Sequence, residues 1–282
     1  MPAQPAWGRI EGLSMTPHLK RWITGAIAVP LLFGIIAYGS ENAFAVLIIA
    51  VSLAGMLEYN RMAFGERISR EKVQTTAIAL VILLTAVSGD FRLLAAVLSL
   101  GVMAVMMLYL PRMRDKEPDM VPVARMVLGI MYVPLLMSHF ILIRKTDEGV
   151  LWVFFILVLA FSGDIAAYYA GKGWGRRKLF PSVSPRKTVE GIVGLVMGSI
   201  AGCLLFRQLF LPQLPVWHAA VLGLAGSVMG QLGDLCESAL KRAAGVKDSG
   251  ALLPGHGGIL DRLDCLVFIA PFVYYYRVFV IQ

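Results

Sequence analysis

Charge is what this sequence has least of. Asp, Glu, Lys and Arg together make up 16% of its 282 residues, while 58% are hydrophobic. A soluble domain is roughly 45–50% apolar. The excess lies in long uncharged runs along the whole chain, which excludes one soluble core or one anchor and implies an integral membrane protein. Cysteine is scarce as well. Cys203, Cys236 and Cys265 fall in or beside apolar segments without paired or metal-type spacing. No disulfide framework or zinc site is implied, and they read as small buried residues. A Walker-type GxxxxGK[ST] loop, a Ser-His-Asp type of nucleophile and base, an internal repeat and a separate soluble domain are all missing. A covalent intermediate is therefore set aside, in favour of a site that positions groups.

What is present is a series of apolar segments. A spanning helix needs about 20 mostly apolar residues. Candidates run Trp22–Tyr38, Ala43–Leu57, Val73–Val87, Leu93–Leu110, Met126–Ile143, Leu151–Ala170, Ile192–Leu211, Val216–Leu232 and Leu263–Val280, which makes about nine spans, the second and third of them short. The net charge of +8 reports topology and headgroup contact first in such a chain, so no nucleic-acid partner is expected. With the N-terminus inside, all of the 26 Lys and Arg residues face the cytoplasm except Arg92, Arg144, Lys145, Arg207 and Arg277. This asymmetry predicts an all-α, polytopic protein, N-terminus cytoplasmic and C-terminus on the opposite side. The first segment lacks a cleavage site and is not read as a signal peptide. Residues 1–21 form a polar leader, with Met15 a possible true start. Residues 22–145 read as transmembrane scaffold. Residues 146–282, where charges enter the spans, read as the catalytic region.

Asp164 lies inside the sixth span, with Tyr168 and Gly171 following at i+4 and i+7. An ionisable group there costs at least ~2.5 kcal/mol on insertion scales, and so usually faces a cavity and a partner. An inert interhelical hydrogen bond is the plainer reading. The next loop is basic and suits lipid headgroups. Its SPRKT stretch, Ser184 to Thr188, followed by Glu190 and a glycine-rich helix start, also suits phosphate.

On the eighth span, Asp234, Glu237, Ser238 and Lys241 fall along one stripe. A capped, salt-bridged helix end explains Lys241 and Arg242 but not Asp234. The stretch KDSGALLPGHGGILDRLD, Lys247 to Asp264, breaks any helix at Pro254-Gly255 and Gly257-Gly258, and lets backbone approach a ligand closely. Irregular backbone is tolerated at membrane depth where it lines a cavity. Asp261 and Asp264 beside that turn, facing Asp234, would make a divalent-metal site. Mg²⁺ prefers one or two carboxylates plus substrate phosphates. His256 either meets phosphate, moves a proton or bonds the turn.

At these residues the sequence resembles the phosphatidate cytidylyltransferases, the CDP-diacylglycerol synthases. The family signature runs through SALKRAAGVKDSGALLPGHGGILDRLD, Ser238 to Asp264, and GDIAAYYAGKGWGRRKL, SPRKTVEG, GQLGDLCES and LKRWITGAIAVP are similar to family blocks. The resemblance covers the chain after Met15, and only as hydropathy over spans two to five. One departure is visible. Where relatives often carry a hydroxyl residue after the aspartate, this chain has Asp164-Ile165.

The resemblance implies the reaction CTP + phosphatidate → CDP-diacylglycerol + pyrophosphate, with Mg²⁺, in a homodimer among membrane lipids. Its site would face the cytoplasm from the inner membrane. Residues and resemblance together assign catalysis to Asp234, Asp261, Lys241 and His256, and metal to Asp234, Asp261 and Asp264. Substrate contacts fall to Asp164, Tyr168, Ser184, Lys187, Thr188, Glu190, Ser238, Lys241, Arg242, Lys247, Asp248, Gly257, Gly258 and Arg262. Other readings are a CTP-dependent lipid-alcohol kinase and an ion-coupled transporter, for which inverted repeats are lacking. A CDP-alcohol phosphotransferase pattern is absent.

Overall fold

The structure is a computed structural model that describes residues 17–114, 119–252 and 257–281. The polar leader up to Met15, Pro254-Gly255 and His256 lie outside the described residues. Helices α1 (Pro17–Tyr38), α2 (Glu41–Phe64), α3 (Arg70–Ala86) and α4 (Phe91–Tyr109) come first. A broken rod follows, of α5 (Val121–Ile130) and α6 (Leu136–Arg144). Between them Met131–Leu135 forms a π-helical turn around Pro134, whose missing N–H the wider turn accommodates. Then come α7 (Gly149–Trp174), a hairpin of β1 (Lys178–Phe180) and β2 (Ser184–Thr188), α8 (Val189–Phe210) and α9 (Val216–Ala243). The last rod is α10 (Leu260–Leu263) continuing into α11 (Leu266–Tyr276).

Seven rods are long and apolar enough to cross a membrane. The shorter apolar stretch Gly25–Tyr38 of α1 and the helix α3 add two shorter rods, which makes nine rods among the described residues. The protein is thus an all-α polytopic membrane protein with one added hairpin. Leu31, Val46, Met107, Val193 and Leu205 point outward, while Met56, Ile82, Met126, Phe155, Leu222 and Val267 are fully buried inside. In lipid such a surface is the expected one, since backbone polarity is satisfied within each helix.

The two ends of the bundle differ. At one end Arg144 donates to Gly39 O at 3.0 Å, Lys145 pairs with Glu41 at 3.2 Å, and Arg277 donates to Asp147 O at 2.7 Å. The other end carries the hairpin, the C-terminal end of α9 and the turn before α10.

Small residues set the tightest contacts. Gly191, Gly194, Gly198 and Gly202 of α8 lie against Gly171, Ala170, Ala166 and Ser162 of α7. A Cβ on Gly198 would stand 2.7 Å from Ser162 O. This small-xxx-small seam packs two helices of one chain. On α9, Gly233 does the same for the last rod: a Cβ there would stand 2.5 Å from Asp264 O. The seams draw α7, α8, α9 and α10–α11 together and bring Asp164, Asp234 and Asp264 to one place.

Candidate active site

Two connected hollows lie between these helices. The outer is a cleft of about 600 Å³ lined by Asp164, Tyr168 and Lys172 of α7, Arg186, Lys187 and Thr188 of β2, and Gln231 and Asp234 of α9. The inner is a chamber of about 40 Å³ that shares Asp164, Gln231 and Asp234 and adds Asp264, Ser199 and Ser227. Asp164, Asp234 and Asp264 all line this chamber. Lys187 reaches in from β2 to pair with Asp234. Ser238 Oγ, one turn on, lies 3.4 Å from Asp234 Oδ1 and donates to it.

The donors meeting in the chamber are hard oxygens, and their like charges repel. A divalent cation relieves that repulsion, and Mg²⁺ is the ion that takes few carboxylates and completes its shell from water and phosphate. The residues fit it in that partial sense. Among the described residues no three or more His, Cys, Asp or Glu stand close enough together to hold a metal ion, so the protein would offer a cation one or two carboxylates at most.

Asp261 lies outside both hollows. Its Oδ1 takes Lys241 Nζ at 2.6 Å. Its Oδ2 accepts from Gly258 N at 2.9 Å and from Ser249 N at 3.0 Å, with Ser249 Oγ also at 3.0 Å. Lys241 also pairs with Glu237 at 2.5 Å, and the Glu237 side chain is wholly buried. Ser249 Oγ stands 2.9 Å from Glu58 Oε2 too. Glu58, on α2, accepts Ile259 N at 3.0 Å and Leu260 N at 2.9 Å.

The glycines of this stretch thus let backbone close around two carboxylates. A Cβ on Gly258 would stand 2.5 Å from Glu58 Oε2, and one on Gly250 2.7 Å from its Cδ. Gly257, at φ +83°, occupies a region that disfavours other residues.

The remaining expected residues are spread around the same end. Ser184 pairs with Phe180 in the hairpin, and Lys178 with Thr188. Thr188 Oγ1 caps α8 by accepting Gly191 N at 3.1 Å. Glu190 accepts the N–H groups of Arg176 and Arg177 at 3.0 and 3.2 Å, and so ties the hairpin base to α8. Arg242 donates to Val246 O at 3.1 Å at the end of α9. Lys247, Asp248 and Arg262 are exposed. Tyr168 is exposed at the cleft with Lys172 Nζ 5.8 Å above its ring.

Sequence reasoning missed Glu58, Gln231 and Ser249. It placed Arg186 in the phosphate-suited SPRKT stretch and Lys172 in the basic loop without naming either as a site residue. Glu58 carried no signal, because it follows the last apolar residue of its run and reads as a helix end.

Comparison with known proteins agrees with this geometry. A model of the cytidylyltransferase family matches residues 19–280. A phosphatidate cytidylyltransferase of Synechocystis sp. is 34% identical, over 92% of this chain and 96% of its own length. One of Staphylococcus epidermidis is 30% identical over 89% of this chain and 95% of its own. One of Bacillus subtilis is 44% identical over 52% of this chain, an alignment that spans 55% of that protein. With a match over nearly its whole length, laid on a cleft of carboxylates and lysines between membrane helices, this chain belongs to the cytidylyltransferase family and is a membrane-embedded nucleotidyltransferase.

Proposed function

We propose that this enzyme transfers the cytidylyl group of CTP to phosphatidate, giving CDP-diacylglycerol and pyrophosphate, with Mg²⁺ as cofactor. The observation that carries the reading is the graded cleft, with Lys172, Arg186 and Lys187 at the outer part and the Asp164, Asp234 and Asp264 carboxylates at its inner end. Both substrates are anions, so an unaided encounter is repulsive. Lys187, Arg186 and Lys172 gather the phosphates, and Asp234 and Asp264 would hold the cation with Asp164 beside them. Mg²⁺ held there would supply positive charge against the triphosphate and the pyrophosphate leaving group. A lipid phosphate oxygen forms the new bond to the α-phosphorus while the α–β phosphoanhydride bond breaks in line. No side chain is consumed, and the residues act by positioning and electrostatics. The same reading places the cleft on the cytoplasmic face of the inner membrane, in a homodimer.

The test uses purified protein with phosphatidate and CTP labelled at the α-phosphorus. Label should move to a chloroform-soluble product, stop with EDTA and return with excess Mg²⁺. Label left in water as CDP, with a lipid alcohol phosphorylated instead, would make the enzyme a kinase. No turnover with any lipid acceptor would reopen transport.

A further inference from the structure

We infer that Glu58 is a positioning residue for the active site, delivered from the other half of the chain. It lies on α2, is 3% exposed and holds the turn that leads into the last rod. It accepts from donors of that turn: the N–H groups of Ile259 and Leu260 and the hydroxyl of Ser249. A buried carboxylate is costly unless it is well hydrogen-bonded, so the turn and Glu58 need each other.

Ile259 N donates to Glu58 Oε1 and Leu260 N to Oε2, so both oxygens must accept, which a carboxylate does and an amide does not. Ser249 has one hydroxyl proton and stands within reach of Glu58 Oε2 and Asp261 Oδ2, at 2.9 and 3.0 Å. It links the two acids, while Asp261 turns its other oxygen to Lys241. Gly250 and Gly258 leave the room that the Glu58 carboxylate fills. The chain of contacts runs Glu58, Ser249, Asp261, Lys241, and it ends on α9, the helix that carries Asp234. Asp264 follows one turn beyond Leu260, the residue whose N–H Glu58 accepts. Glu58 therefore fixes where Asp264 stands relative to Asp234 without lining either hollow itself.

The test measures amide hydrogen exchange of the metal-free full chain in detergent, beside cytidylyl transfer. In Glu58→Gln, exchange at Ile259 and Leu260 should quicken by roughly 10-fold or more. Protection in α7 and α8 should hold. The turnover number should fall roughly 10–100-fold, as for outer groups that orient metal ligands, with KM for CTP little changed. Ser249→Ala, which removes one of the three donors to Glu58 together with the hydroxyl's contacts to Asp261, should give the same pattern in smaller measure at Ile259 and Leu260 and serves if Glu58→Gln does not fold. Unchanged exchange at these amides, or protection lost evenly across the bundle, overturns the inference. The activity half rests on the proposed reaction. A wild type that makes no CDP-diacylglycerol would sink that reaction and leave the exchange result to judge Glu58.

Discussion

Lys241 is held between two acids, Glu237 at 2.5 Å and Asp261 at 2.6 Å, and little of it meets solvent. Removing it strands two carboxylates, so Lys241→Met should cost about 3–5 kcal/mol. Adding Glu237→Gln should recover part of that, and thermal unfolding of the single and double variants in detergent reads the coupling. The aspartates differ in place. Asp234→Asn removes a charge that faces the chamber, and turnover should fall on the order of 10²–10³-fold with insertion intact. Asp261→Asn disturbs the contacts to Lys241, Ser249 and Gly258 outside the chamber, and should cost roughly 10–100-fold. Equal losses, measured under saturating CTP, would return Asp261 to the metal itself.

Among the elements, the α7–α8 seam is the one with least slack. A Cβ at Gly198 would press on Ala166 and Ser162 of α7, and overpacking typically costs about 1–3 kcal/mol. Gly198→Ala should lower the melting temperature and slow catalysis, because a shifted α7 carries Asp164 with it. Gly34→Ala, where a Cβ meets nothing within 4 Å, should be silent in both measurements. The hairpin that presents Lys187 has no signature in the sequence. Lys178–Phe180 and Ser184–Thr188 lack the apolar alternation that marks strands, and Glu190 holds their base only once the chain has folded back.

Across the whole molecule, the rods were legible because an uncharged run of about 20 apolar residues matches the thickness of a bilayer and little else. Asp164 and Asp234 stood out for the same reason, as charges where charge is expensive. The contacts of Asp261 to Ser249 and Gly258 were not legible, since they come from a turn whose path no periodicity encodes. The expected orientation gives a direct test. In a cysteine-free background, Gln213→Cys should react with an impermeant maleimide on intact cells, and Arg177→Cys only after permeabilisation. The reverse pattern would turn the protein over. Residues 22–145 also reach the segment before the last rod, where Glu58 meets Ser249 across 191 positions of sequence.

That separation has a consequence for how the protein is made. Synthesis places α2 in the bilayer long before the ribosome reaches Ser249, so its carboxylate waits in the nascent chain without the donors it will later hold. The turn and the last rod end that wait, and only a finished polypeptide resolves the debt in solvation. A message cut short after α9 would yield a product that is inactive and also unstable in its first half, a mark by which membrane proteases could tell it from a complete enzyme.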